Sequence, residues 1–348
     1  MVEKSNFTNE TIINEVKKNY GICVNRVDRI IGGSANIYKL YSDSGIYILK
    51  EFQKWYKKET ILKEVHVIQH LRGKGIKVPE YIRCLNGNYS FNYMGNEVIV
   101  QKYIEGYVKK TNTGGRKDLL ESARILGLII NSLEDYPYDD LPSFDLEYIM
   151  SKEKLRSSIS KNTELIKNTN DELIISDLKN KEFIINNLLD VNLSDDFKNI
   201  TIAKSHGDFG ILQLIYGDEI TIIDFATAME VPIAYEVIRS YACVDKKCAS
   251  GEINIDNLIF YIREFNKYVP LNKYDLKYMA YIYLYKLASS SYGFKQYINN
   301  GDLDLYKVGV WRSKMCRYLY ENYEYIGNRL INEFLWYNDF KDVVMWMI

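Results

Sequence analysis

The stretch Ser205–Leu214, SHGDFGILQL, sets one of the chain's three histidines before a glycine and an aspartate, Asp208. Five residues on comes Gln213, and eleven beyond that Asp224, which closes the apolar run of TIIDFATA. A carboxylate fixed beside a substrate hydroxyl orients it and accepts its proton during phosphoryl transfer. An amide oxygen and a second carboxylate are hard donors of the kind Mg²⁺ takes, and the ion neutralises the phosphates. His-Gly-Asp alone is a weak motif, and the strand-terminal Asp224 at this spacing gives it weight.

Upstream, Gly32-Gly33-Ser34-Ala35-Asn36 lies between two strand-like segments. Paired glycines let backbone N–H groups approach phosphates closely. The stretch is neither a G-x-x-x-x-G-K-[ST] loop nor G-x-G-x-x-G. Lys50 then sits inside the strand-like YILKEF, flanked by Leu49 and Phe52. Glu64 follows on a helical segment, 56–73, whose Ile61, Leu62, Val65, Ile68 and Leu71 share one face. A lysine in a strand interior requires a partner, and a Lys50–Glu64 pair would hold the amine on nucleotide phosphates.

The elements that must position these groups are legible from periodicity. Residues 9–20 read as a helix, 24–31 as a strand, and IYKLYS and GIYILKEF as a hairpin around Asp43-Ser44-Gly45. KVPEYI is an extended exit from the helix, and NYSFNYMGNEVIVQKYIEG reads as two more strands. After Gly106 the pattern turns helical. Only residues 199–225 of that later part have strand character, with LQLIY and EITIID joined at Gly217-Asp218.

Composition excludes several classes. With 45 Lys and Arg against 46 Asp and Glu, interleaved, no broad field favours nucleic acid or an anionic membrane. The longest apolar run, YMAYIYLY, is far below a membrane span. The N-terminal stretch is too charged for a signal peptide, and five scattered cysteines form no C-x-x-C. A cytoplasmic protein without a zinc site or disulfide framework is the expectation. Ser205 beside His206 cannot form a nucleophile–base pair of hydrolase type, and G-x-S-x-G is missing.

Glycine loop, strand lysine, helix glutamate, H-G-D loop and strand-D-F follow the order of parts in a protein-kinase-like fold. The set resembles the aminoglycoside phosphotransferase/choline kinase-type family of small-molecule kinases. The resemblance rests on GGSANIY, Lys50, Glu64, VIVQKYIEG, HGDFGILQ, IIDF and VPIAYEVIRSY, and spans about residues 24–245. It implies an α+β, bilobal fold: an antiparallel-sheet lobe over 1–103 and a larger, mostly helical lobe over 104–348. It implies ATP or GTP with Mg²⁺, and transfer of the γ-phosphoryl to a small-molecule hydroxyl. Asp208 would be the catalytic base, and Gln213 and Asp224 the metal ligands. Ser34 would cover the phosphates, Lys50 would contact them and Glu64 would position Lys50. Residues 101–104 would form the hinge against the purine through backbone groups of Lys102 and Ile104. Glu236 and Arg239 would brace the H-G-D loop.

Two positions depart from the family pattern. Gln213 stands where the family usually has asparagine, and Ala226 where a second acid often follows. They motivate an alternative, a kinase-fold protein that binds nucleotide or a partner without turnover. H-R-D, D-F-G and A-P-E elements are absent, which disfavours a protein substrate. Residues 251–348 hold 11 acids and 12 Lys and Arg, so no acidic excess prepares that region for a polycation. Its many aromatics, Tyr274, Tyr278, Tyr281, Tyr283, Tyr285, Tyr292, Tyr297 and Trp311, fit helix packing better than a box for an amine. His66 and His70, one helical turn apart, lack a third metal ligand.

Overall fold

The computed structural model describes residues 4–30, 35–54, 56–191 and 195–345, with 335–345 described by their backbone. Gly32, Gly33 and Ser34 lie outside the described residues. The strands are β1 (Val24–Ile30), β2 (Asn36–Ser42), β3 (Gly45–Glu51), β4 (Ser90–Tyr93), β5 (Asn96–Lys102), β6 (Tyr107–Val108), β7 (Ile202–Ser205), β8 (Leu214–Tyr216), β9 (Ile220–Ile222) and β10 (Met229–Pro232). The helices are α1 (Asn9–Tyr20), α2 (Lys58–Gly73), α3 (Arg116–Leu133), α4 (Leu146–Met150), α5 (Lys152–Lys167) and α6 (Glu172–Leu189). They continue with α7 (Ile233–Val244), α8 (Ile255–Phe265), α9 (Lys273–Ala288), α10 (Tyr292–Asn300) and α11 (Leu303–Met345). A five-stranded antiparallel sheet followed by a mostly helical region is the α+β arrangement the sequence implies. None of the described helices is long and apolar enough to cross a membrane.

The chain divides into two compact units. The first comprises Met1–Val108, Asp135–Leu141 and Gln213–Ala228, and the second Lys109–Glu134, Pro142–Leu212 and Met229–Ile348. The units are therefore not consecutive pieces of chain.

In the first unit the sheet runs β1-β2-β3-β5-β4. Alternation decides what each strand residue faces. Tyr47 and Leu49 of β3 join Ile12, Val16 and Tyr20 of α1 in one core, with Leu40, Val98 and Val100. Lys50 falls on the opposite face, in register with Ile37 and Ile99. There Ile99 packs with Phe52 and with Ile61 of α2, bordered by Tyr56 and Tyr81. At the strand's end Glu51 is buried and accepts from the side-chain amides of Asn36 (3.1 Å) and Asn96 (2.8 Å), tying β2 and β5 to β3. A small sheet, β6-β8-β9, completes the unit.

The second unit is helical apart from β7 and β10, which pair antiparallel. β6 and β10 are not foreshadowed by the sequence reading. One has two residues, and the other carries Pro232 and has a single partner, so neither shows a period. β7 leads into the H-G-D loop, and its approach is held by α9. Asp275, fully buried, accepts from the Thr201 backbone N–H (2.9 Å) and hydroxyl (2.8 Å) while capping its own helix through Asn272 N–H (3.0 Å). Asp275→Ala strands these donors and is expected to cost about 3 kcal/mol. The cost is read as a lower urea midpoint at unchanged slope. A loss below about 0.5 kcal/mol would show that α9 does not hold the strand entering the loop.

Candidate active site

The sequence-derived residues gather in two clusters, one in each unit. In the first unit Lys50 Nζ lies 3.7 Å from Glu64 Oε1 and 3.3 Å from Asp224 Oδ1. The lysine side chain is 15% exposed, the glutamate 2% and Asp224 48%. The glutamate is thus committed to the interior, while the aspartate is open to a ligand. Tyr81 donates to Glu64 Oε1 at 2.7 Å. Burial alone would depress the Lys50 amine, but Glu64 and Asp224 outweigh it and raise its pKa above the ordinary lysine value. Burial, reinforced by Glu64, pushes the Tyr81 hydroxyl well above its ordinary value, so it remains a donor. A buried carboxylate is tolerated when paired and hydrogen-bonded; Lys50 and Tyr81 meet that condition at Oε1, while Oε2 is buried without a hydrogen-bond partner among the described residues.

Asp224 does not end the strand directly. β9 stops at Ile222, and Asp224 takes a left-handed conformation (φ 70°, ψ 56°). Among side-chain-bearing residues Asp and Asn adopt that conformation most readily, and such outliers cluster at functional sites. Lys63, buried beside Glu64 on α2, donates to the carbonyls of Ala226 (2.8 Å) and Ala228 (3.0 Å) and so fixes the turn after Asp224. Where a second acid often stands, this chain offers an alanine whose carbonyl is bound to lysine. Gln213 precedes β8, and its carbonyl accepts from Ile223 N–H at 2.9 Å. The hairpin register, Leu214 opposite Ile222, sets Gln213 beside the residue preceding Asp224. The Gln213 amide makes no hydrogen bond among the described residues.

In the second unit Asp208 follows Gly207, whose φ of 78° supplies the sharp turn. Asp208 is 49% exposed and forms an ion pair with Arg239 of α7, which also donates to the Phe209 carbonyl at 2.8 Å. Glu236, one turn earlier and fully buried, accepts from Phe209 N–H at 3.2 Å. His206 is buried, its ring 5.8 Å from that of Phe209. Glu236 and Arg239 thus clamp the loop's backbone from one helix face, and Arg239 also holds the Asp208 carboxylate.

The remaining sequence expectations resolve as follows. Lys102 ends β5, and its N–H is spent on the Glu80 carbonyl at 2.9 Å, so its own carbonyl is the group able to meet a base. Ile104 follows the strand and is half-buried. His66 Nδ1 bonds Asp140 (2.9 Å) and His70 Nε2 lies 3.3 Å from Asp135. The histidines thus dock the 135–141 segment onto α2. Tyr281, Tyr283 and Tyr285 are buried packing residues, and Trp311 donates to the Cys248 carbonyl at 2.7 Å. Tyr81 and Lys63 escaped the sequence reading. Tyr81 lies in an aperiodic exit, and a lysine next to Glu64 reads as a solvated charge.

These features define a kinase-like phosphotransferase: an antiparallel sheet with a strand lysine paired to a helix glutamate, and an aspartate on a clamped loop. The model of the phosphotransferase enzyme family (APH) matches residues 27–250, and the chain belongs to that family of small-molecule kinases. Solved structures of the same fold include spectinomycin phosphotransferase APH(9)-Ia in complex with ADP and spectinomycin, 16% identical over 92% of this chain and 99% of that one (TM-score 0.61). The amicoumacin kinase hAmiN, solved with AMP-PNP and Ca²⁺, is 12% identical over 89% and 94% (TM-score 0.64). A choline kinase from Cryptosporidium parvum is 14% identical over 93% and 96% (TM-score 0.54). No curated protein matches the chain by sequence.

Burial pushes the Glu236 carboxyl up to about 7, against Arg239 and the loop N–H groups, which favour its ionised form. The folded state then holds this proton more tightly than the unfolded chain. Stability from Glu236 is fully present below its unfolded pKa, near 4.5, and is lost as pH rises through about 7. The difference amounts to about 3 kcal/mol. Glu236→Gln keeps an acceptor for Phe209 and cannot ionise, so the variant should lose this decline. Urea titrations of both proteins at pH 5 and pH 8 check it, and equal pH slopes would contradict the buried-acid assignment.

Proposed function

We propose that the chain transfers the γ-phosphoryl of ATP or GTP to a hydroxyl of a small molecule, with Asp208 as the base. The observation that carries this reading is the Glu64–Lys50–Asp224 chain, in which a buried acid steers an amine toward an open carboxylate. Glu64 and Tyr81 fix the position of Lys50, whose amine engages the α- and β-phosphates. The Lys102 carbonyl and the Ile104 backbone meet the purine edge. Backbone contacts of this kind suit either nucleotide. Ser34 is assigned to the phosphates on family resemblance.

Mg²⁺ fits the donors present, because it takes one or two protein oxygens together with phosphates and water. The half-exposed Asp224 carboxylate and the uncommitted Gln213 amide are such oxygens. When bound, the ion neutralises charge on the phosphates. Asp208 holds the acceptor hydroxyl and takes its proton as the acceptor oxygen bonds the γ-phosphorus and the bond from that phosphorus to the β-phosphate oxygen breaks, leaving ADP or GDP. Arg239, on the same carboxylate, sets its orientation.

Asp208→Asn preserves shape and removes the base. Acceptor-dependent nucleotide consumption should fall by about 10²–10⁴-fold, with thermal stabilisation by MgATP retained. Asp224→Asn should instead lose the Mg²⁺-dependent part of that stabilisation. Metal-independent stabilisation by nucleotide, with no turnover on any acceptor, would favour the non-catalytic alternative raised by Gln213 and Ala226.

A further inference from the structure

The second unit carries charges that the reaction outlined above leaves unused. Arg239 is answered by Asp208. Three further cations, Lys154 of α5, Lys286 of α9 and Arg312 of α11, have no ion-pair partner among the described residues. All three are half-buried, and the Arg312 Nε–H is fully buried without an acceptor among the described residues. A buried donor of this kind is expensive to leave unmade.

Aromatic contacts tie Lys286 to α7, the helix whose Arg239 pairs with Asp208. Its Nζ lies 4.9 Å from the Phe144 ring, Phe144 lies 4.9 Å from Tyr235, and Tyr235 lies 6.0 Å from Tyr283. Tyr235 stands one turn before Arg239 on α7, and Tyr283 one turn before Lys286 on α9, so the same helix faces carry ring and charge. Lys154 approaches the Tyr148 ring at 5.6 Å. Burial, then the fields of Arg312, Lys154 and Arg239, hold the Lys286 amine below its ordinary pKa, and Asp208 offsets them in part. Arg312 and Arg239 act in the same sense on Tyr235 and Tyr283. Lys286 thus lies within the electrostatic reach of the other three cations. The acids among them are Asp208, already paired with Arg239, and the buried Glu236, which is bound to the Phe209 N–H.

Like charges gathered under partial burial repel and lose hydration, unless a counter-charge arrives. The described fold does not supply one. Resting on the phosphotransferase reading, we propose that Lys154, Lys286 and Arg312 form an anion subsite beside Asp208, and that the acceptor is a hydroxylated small molecule bearing a carboxylate or phosphate. The same field disfavours a polycationic acceptor.

The test uses matched acceptors with the full-length protein and MgATP. Glycerate and glycerol 3-phosphate are compared with glycerol and 2-amino-1,3-propanediol, and glucuronate and glucose 6-phosphate with glucose and glucosamine. In at least one series kcat/KM should run anionic over neutral over cationic, with anionic at least about tenfold above neutral. The carboxylate and phosphate members show which anion is taken. Lys286→Gln and Arg312→Gln should compress that ratio about tenfold, through the acceptor KM. A cationic or neutral preference overturns the proposal, as does a defect of both variants confined to the nucleotide KM. If no acceptor is turned over, the phosphotransferase reading is what fails. Thermal stabilisation by glycerate or glycerol 3-phosphate without nucleotide then decides the subsite. Its presence in the parent protein and loss in both variants supports an anion site. Its absence from the parent protein overturns one.

Discussion

Glu64 is a carboxylate placed almost wholly inside the protein, and most of the first unit's site follows from keeping it there. An ionised acid in that position is stable only with a cation and a hydrogen-bond donor. Lys50 supplies the first from the middle of the sheet and Tyr81 the second from the chain leaving α2. The pair thereby fixes the lysine on the face opposite the α1 core and turns its amine toward Asp224. Strand register, helix face and the left-handed turn at Asp224 serve one electrostatic requirement.

The second unit solves a related problem differently. Asp208 stays half-exposed, and its loop is held through backbone groups. Glu236 and Arg239 grip Phe209 from α7, while Asp275 holds the strand entering the loop. Each is a buried or half-buried ionisable group bound to backbone donors or acceptors. The cations Lys154, Lys286 and Arg312 have no such internal answer, which sets them apart from the bracing charges.

The groups legible in the sequence were those on periodic elements. Lys50 interrupts a strand's apolar side, Glu64 borders a helix's apolar stripe, and Asp224 closes an apolar run, so alternation and the 3.6-residue period expose all three. Tyr81 and Lys63 act across the chain, from an aperiodic segment and from a position that reads as solvent-facing. The allegiance of residues 135–141 to the first unit rests on His66 and His70 meeting Asp140 and Asp135, pairings more than sixty residues apart that no local pattern announces. The cluster of Lys154, Lys286 and Arg312 comes from three helices far apart in the sequence, so no local pattern gathers it. An even balance of charge along residues 251–348 conceals a local excess of cations that only folding assembles.

The central claim, that buried Glu64 acts on nucleotide through Lys50, is most directly tested by a double-mutant cycle on MgATP affinity with Lys50→Met and Glu64→Gln. Calorimetric titration of the four proteins gives the coupling. If Glu64 works by positioning Lys50, the two losses overlap and the coupling reaches about 1 kcal/mol or more. Strictly additive losses would contradict the account.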